Sequence, residues 1–111
     1  MHNEAFNELI ARVMGSDTLT AFNASPLQSE TNPDGSNTCT FYIREHRIEI
    51  STASQDDSSF HVKVTNPAKA VLMNKPLPTH EIPEAVMYTV APNWEEEFEA
   101  EIRRIQERDN R

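Results

Sequence analysis

Apolar residues recur along this chain with two different periods, and the changes between them divide it into helix, sheet and helix. Phe6, Leu9, Ile10, Val13 and Met14 fall at i, i+3, i+4, i+7 and i+8, one stripe of a 3.6-residue repeat. Glu4, Glu8 and Arg12 take the other side, and Gly15 follows where a left-handed cap would close the helix. The spacing predicts a helix over residues 3–14. In the middle of the chain the period falls to two. Cys39, Phe41 and Ile43 alternate with Thr40, Tyr42 and Arg44; Ile48 and Ile50 with Arg47, Glu49 and Ser51; Phe60, Val62 and Val64 with His61, Lys63 and Thr65. Three antiparallel strands in a meander follow, with one apolar and one polar face. They are joined by a tight turn around Glu45 and His46, which lacks an Asn-Gly pair, and by a polar loop through Ser54, Gln55, Asp56 and Asp57.

The longer period returns at the end. Trp94, Phe98, Ile102 and Ile105 are spaced four, four and three, with Asn93 as N-cap and Glu96 as its capping-box partner, so a helix is expected over residues 93–108. Glu95, Glu96 and Glu97 sit at its positive dipole end, Arg103, Arg104 and Arg108 toward its negative end, and Glu99 and Arg103 form an i,i+4 pair.

Three stretches carry weaker patterns. Leu19, Ala21 and Phe22 suit a short strand or turn, and residues 23–37 read as a surface loop containing a type I turn at Asn32-Pro33-Asp34-Gly35. Ala68 to Met73 is apolar enough for a short buried helix or strand, which periodicity cannot decide at this length. Between Pro83 and Pro92, Val86, Tyr88 and Val90 alternate with Met87 and Thr89, which favours a fourth strand over a helix opened by Pro83. The expected fold is α+β, an antiparallel meander of three to four strands covered on one face by the N- and C-terminal amphipathic helices. Its expected core holds Phe6, Leu9, Ile10, Val13, Phe41, Ile43, Ile48, Ile50, Phe60, Val62, Val64, Phe98 and Ile102.

At 111 residues the chain fits a single domain spanning 1–111, with no linker or repeat. The only thiol, Cys39, has no partner for an internal disulfide, which points to a reducing, cytoplasmic setting. The start carries no basic leader, and no apolar run approaches the ~18 residues of a membrane span, so neither secretion nor insertion is expected. Asn23-Ala24-Ser25 is read as a chance sequon.

Net charge is −8, concentrated at the ends: residues 1–37 carry five acids against one base, and 93–111 seven acids against four bases. Phosphate backbones and anionic membranes would be repelled, so direct nucleic-acid or membrane binding is not expected and a basic protein or ribonucleoprotein is the natural complement.

Catalytic chemistry is sparse. His2, His46, His61 and His80 lack metal-ligand spacing, and with two glycines in all there is no phosphate-binding loop. No cofactor or metal is expected. Cys39 shares the apolar side of its strand with Phe41 and Ile43, so a core role is favoured over a nucleophile. Adjacent acids at Asp56-Asp57 and Glu95–Glu97 read as solvation or dipole partners rather than an acid–base pair. Trp94 and Phe98 can anchor a partner or pack in the core, and core packing is favoured. The row Glu95, Glu96, Glu97, Glu99 and Glu101 reads first as a solvated face, yet such a row can imitate a phosphate track and fill a nucleic-acid-binding groove.

The resulting expectation is a non-enzymatic acidic binding protein that inhibits or caps a larger partner through Glu95, Glu96, Glu97, Glu99, Glu101 and Trp94. Phage anti-defence (anti-CRISPR-like) and toxin-immunity proteins are settings where small acidic α+β domains occur. Two alternatives stand beside it: a chaperone or adaptor of secretion or phage assembly, and a small enzyme using His61 with a nearby carboxylate.

Overall fold

The computed structural model of the protein describes residues 3–52 and 59–109. Its elements run α1 (Glu4–Met14), α2 (Ser16–Ala21), β1 (Gln28–Thr31), β2 (Asn37–Ile43), β3 (His46–Thr52), β4 (Ser59–Thr65), β5 (Val71–Pro78), a 3-10 turn (Thr79–Glu81), α3 (Ile82–Val90) and α4 (Trp94–Asp109). The class is α+β. The strands form one antiparallel sheet in the order β1-β2-β3-β4-β5, so each pairs with its chain neighbour. His2 and the loop residues Ser54, Gln55, Asp56 and Asp57 lie outside the described residues.

Register turns the period-two pattern into a core. Cys39 pairs with Ile50 and Ile50 with Val62, while Phe41 pairs with Ile48 and Ile48 with Val64. These rows face one side of the sheet and are fully buried. The opposite parity, Thr40, Glu49 and Lys63 for example, makes up the open face.

Helix α1 begins at Asn3, whose Oδ1 accepts the Phe6 amide at 3.0 Å while its Nδ2 donates to Thr31 Oγ1 at 3.2 Å and Asn37 Oδ1 at 2.9 Å. One side chain thus caps the helix and fastens it to the β1–β2 hairpin. At the other end Gly15, with φ +90, donates its amide to the Ala11 carbonyl at 2.9 Å. Phe6, Ile10 and Met14 are buried, but Leu9 is 36% exposed and Val13 half-buried, so the buried stripe is narrower than the sequence pattern.

Two hairpins share one turn. In Asn32–Ser36 the Gly35 amide donates to the Asn32 carbonyl at 2.9 Å and the Asn32 amide to the Ser36 carbonyl at 2.7 Å; in Asn66–Ala70 the Lys69 amide donates to Asn66 at 2.8 Å and the Asn66 amide to Ala70 at 2.9 Å. This is a type I turn closed by a residue with positive φ. Gly35 takes that position at φ +88, whereas Lys69 is held there at φ +70. Lys69→Gly should therefore raise stability by about 0.5–1 kcal/mol, because relief of left-handed strain exceeds the entropic cost of glycine. A urea midpoint unchanged or lowered in the variant would show that the turn is unstrained. The β2–β3 turn is tighter still, with Arg44 at φ 50 and Glu45 at φ 65, the two positive values of a type I′ turn without its usual Asn-Gly.

Four expectations are corrected. Leu19, Ala21 and Phe22, read as a short strand or turn, belong to helix α2 and its C-cap. The loop expected over 23–37 contains strand β1, whose inward residue is Ser29 rather than an apolar one; Ser29 is fully buried and donates its hydroxyl to Asn7 Oδ1. The strand favoured between Pro83 and Pro92 is helix α3, with Ile82, Val86, Met87 and Val90 buried at i, i+4, i+5 and i+8. Finally, the layer over the sheet is α1 with α3, not α1 with the C-terminal helix: α1 touches β1, β2 and α3, α3 touches β4 and β5, and α4 lies against α2. The physical reason is composition, since α3 offers four fully apolar inward positions where α4 carries charge on most of its surface.

Both sheet edges are protected. Asn3 donates its amide to the Ser29 carbonyl on β1 at 2.9 Å, and β5 carries Pro76, Pro78, Lys75 and a bulge opposite Val64 and Thr65.

Candidate functional site

The chain from Ala91 to Asn93 redirects the backbone out of α3 and into α4. The Trp94 amide donates to the Ala91 carbonyl at 2.9 Å, and the Asn93 carbonyl accepts the Glu97 amide at 3.2 Å, the first turn of α4. Trp94 is half-buried, its ring edge-on to Tyr88 with centroids 5.8 Å apart and tilted to Phe98 at 6.3 Å. Trp94 and Phe98 pack against the margin of the core, and the indole Nε1 is buried without a hydrogen-bond acceptor.

The acidic row divides into two groups. Glu95 accepts the Tyr88 hydroxyl at 2.6 Å, Glu97 accepts Arg44 at 2.6 Å, and Glu101 pairs with Arg104 at 3.0 Å. The Glu95 hydrogen bond, with burial and the charges of Glu95 and Glu84 behind it, holds the Tyr88 hydroxyl above the usual phenol range. Glu96 and Glu99 are exposed and make no side-chain hydrogen bond or ion pair among the described residues. Sequence reasoning set Glu95 and Glu96 apart only as supports of the helix N-terminus; it missed that Arg44, in the strained β2–β3 turn and stacked 5.5 Å over Phe22, ties Glu97 to the body. Arg44, Glu97, Glu101, Arg104 and Phe22 line a cleft of about 540 Å³ where α4 meets the end of α2.

A second concavity, about 590 Å³, lies on the open face over β1, β2 and β3, lined among others by Glu30, Thr38, Thr40, Tyr42 and Arg47. Arg47 Nε is paired with Glu49 at 2.8 Å, so the basic group there is already neutralised. One wall of this groove is β1, which is why the sequence pattern did not reveal it.

The histidines are dispersed. His46 pairs with Ile43 and donates from Nδ1 to the Arg44 carbonyl at 2.9 Å; His61 pairs with Ser51 and bonds Asn74 Oδ1 through Nε2. Five positions of β3, about 17 Å, separate the two sites, which also have opposite strand parity, so they do not meet. His80 is exposed in the 3-10 turn. Cys39 is fully buried, its Sγ 3.8 Å from Asn7 Oδ1, and burial pushes the thiol above its ordinary pKa. Among the described residues no group of three or more His, Cys, Asp or Glu could hold a metal ion, and no helix is long and apolar enough to cross a membrane.

No protein family, curated protein or solved structure matches this chain. Its functional reading therefore rests on the geometry above.

Proposed function

We propose that the protein is a non-enzymatic binding protein that inhibits or caps a larger basic partner, docking through the outward face of α4. The observation that carries this reading is the placement of α4: a 16-residue helix beside α2 rather than over the sheet, with five carboxylates in its first eight residues. A helix held in this way presents charge at fixed spacing on a rigid rod. Glu96 and Glu99 are its free outward carboxylates; Glu95 and Glu97 add negative potential while bracing the rod against Tyr88 and Arg44, and Glu101 pairs with Arg104 within the helix itself. Such a row suits a groove that otherwise receives phosphates, and its field speeds association more than it lengthens residence. Trp94, at the root of the helix, would contribute from the margin of the contact.

The test is capture followed by kinetics. Immobilised protein should retain one basic protein or ribonucleoprotein, and the association rate with that partner should fall steeply as salt shortens the Debye length below the ~8 Å of physiological buffer. Glu96→Lys with Glu99→Lys should slow association about tenfold or more; loss of the favourable charge of Glu96 at the helix N-terminus should cost about 1 kcal/mol, small enough to leave the protein folded. Equal rates and a flat salt response in both proteins would reduce the acidic row to a solvated face. Retention of unfolded clients instead of one folded partner would favour a chaperone.

A further inference from the structure

The hydrophobic core reaches α4 at Trp94 and Phe98 but does not include Ile102 or Ile105, and Ile105 is 38% exposed. Phe98, Ile102 and Ile105 recur at i, i+4 and i+7, so they form one apolar stripe that continues past the end of the core. Phe98 and Ile102 also border a shallow groove of about 400 Å³ with Glu99, Arg103 and Gln106. Charge along the same helix is segregated. Residues 94–101 hold five carboxylates and no base, whereas 102–109 hold three arginines and two carboxylates. Two such helices laid parallel would set five carboxylates against five. Laid antiparallel, the acidic half of each lies beside the arginine-bearing half of the other, with the stripes in contact between them.

We propose that α4 pairs with α4 of a second copy of this chain, antiparallel about a two-fold axis near Ile102, burying Ile102 against its counterpart and Phe98 of each copy beside Ile105 of the other. The contact is self-complementary, as a two-fold interface must be. Screening over ~8 Å at physiological ionic strength confines the repulsion between two chains of net charge −8 to surfaces near the contact, where the charges are complementary. A 16-residue helix is about 24 Å long, so one helix pair offers less than the ~800 Å² per partner of a stable complex, and the dimer is expected in the micromolar range. This inference does not depend on the basic-partner reading, but the two surfaces meet at Glu99, which borders the groove, whereas Glu96 does not line it.

Sedimentation equilibrium of the full chain across the micromolar range tests it. The wild type should pass from monomer to dimer, and Ile105→Glu should raise the dimer Kd by about tenfold or more with an unchanged urea midpoint, because Ile105 lies outside the core. Orientation is read from spin labels on Glu107→Cys in a Cys39→Ala background. These lie five residues beyond the axis on each helix, so antiparallel pairing separates them by about 15 Å along the helix direction and parallel pairing by none. A chain that stays monomeric throughout, a dimer indifferent to Ile105→Glu, or labels side by side would each overturn the proposal. Capture of a basic protein by a strictly monomeric chain would overturn it while leaving the partner reading in place, and a dimer that captures nothing would do the reverse.

Discussion

Phe60→Ala should lower stability by about 3–5 kcal/mol, enough to unfold much of the population of a marginal domain. The ring is 4% exposed on β4 and stands edge-on to Phe6 of α1, centroids 6.0 Å apart at 70°, so it joins the sheet to its first covering helix. Both the transfer energy of the ring and the cavity left beneath α1 count against the variant. Phe98→Ala removes the same atoms from a half-buried site at the margin of the core and should cost about 1–2 kcal/mol. Urea midpoints of the two variants measure the difference. Equal losses would mean that α4, not α1, covers this part of the sheet.

Met87→Ala is expected to cost about 2–5 kcal/mol, because Met87 is fully buried between α3 and the sheet. Tyr88→Ala, one residue on, should cost less, about 1 kcal/mol, since Tyr88 is 48% exposed and loses only its ring contact with Trp94 and its hydrogen bond to Glu95 at the root of α4. The pair distinguishes the two periods directly. A strand over this stretch would bury Val86, Tyr88 and Val90 and expose Met87, so the larger loss would fall on Tyr88. Denaturation of both variants by circular dichroism gives the order.

This stretch also shows why part of the fold was hard to read. Val86, Tyr88 and Val90 alternate, but Ile82, Val86 and Val90 also recur at every fourth residue, and nine residues with apolar side chains at most positions satisfy both templates. Pro83, near the first position of a helix, was the signal that favoured the observed answer. β1 was hidden for the opposite reason. Gln28-Ser29-Glu30-Thr31 has no apolar residue to mark an inward side, and its buried position is held by a serine whose hydroxyl is satisfied by Asn7. The Asn32-Pro33-Asp34-Gly35 turn was recognised as a turn; that it joins two strands depended on seeing β1.

For the candidate site, the acidic row and the aromatic pair on α4 were legible as residues, because four-residue spacing is local; the capping box expected of Asn93 and Glu96 is not among the hydrogen bonds of the described residues. The division of the row into braced and free carboxylates was not legible, since Arg44 reaches Glu97 from 53 positions away in the chain.

The sequence by itself determined the α+β class, helix α1 with its glycine cap, the alternating cores of β2, β3 and β4, and the existence of α4, all of which follow from short-range periodicity and caps. Only the tertiary structure decided which helices cover the sheet, that Ser29 fills an inward position, and that α4 lies beside α2 with Ile102 and Ile105 outside the core. Those outcomes turn on competition among apolar faces for one sheet surface. α3, with four buried apolar positions in nine residues, takes the place beside α1 that the charged α4 leaves open.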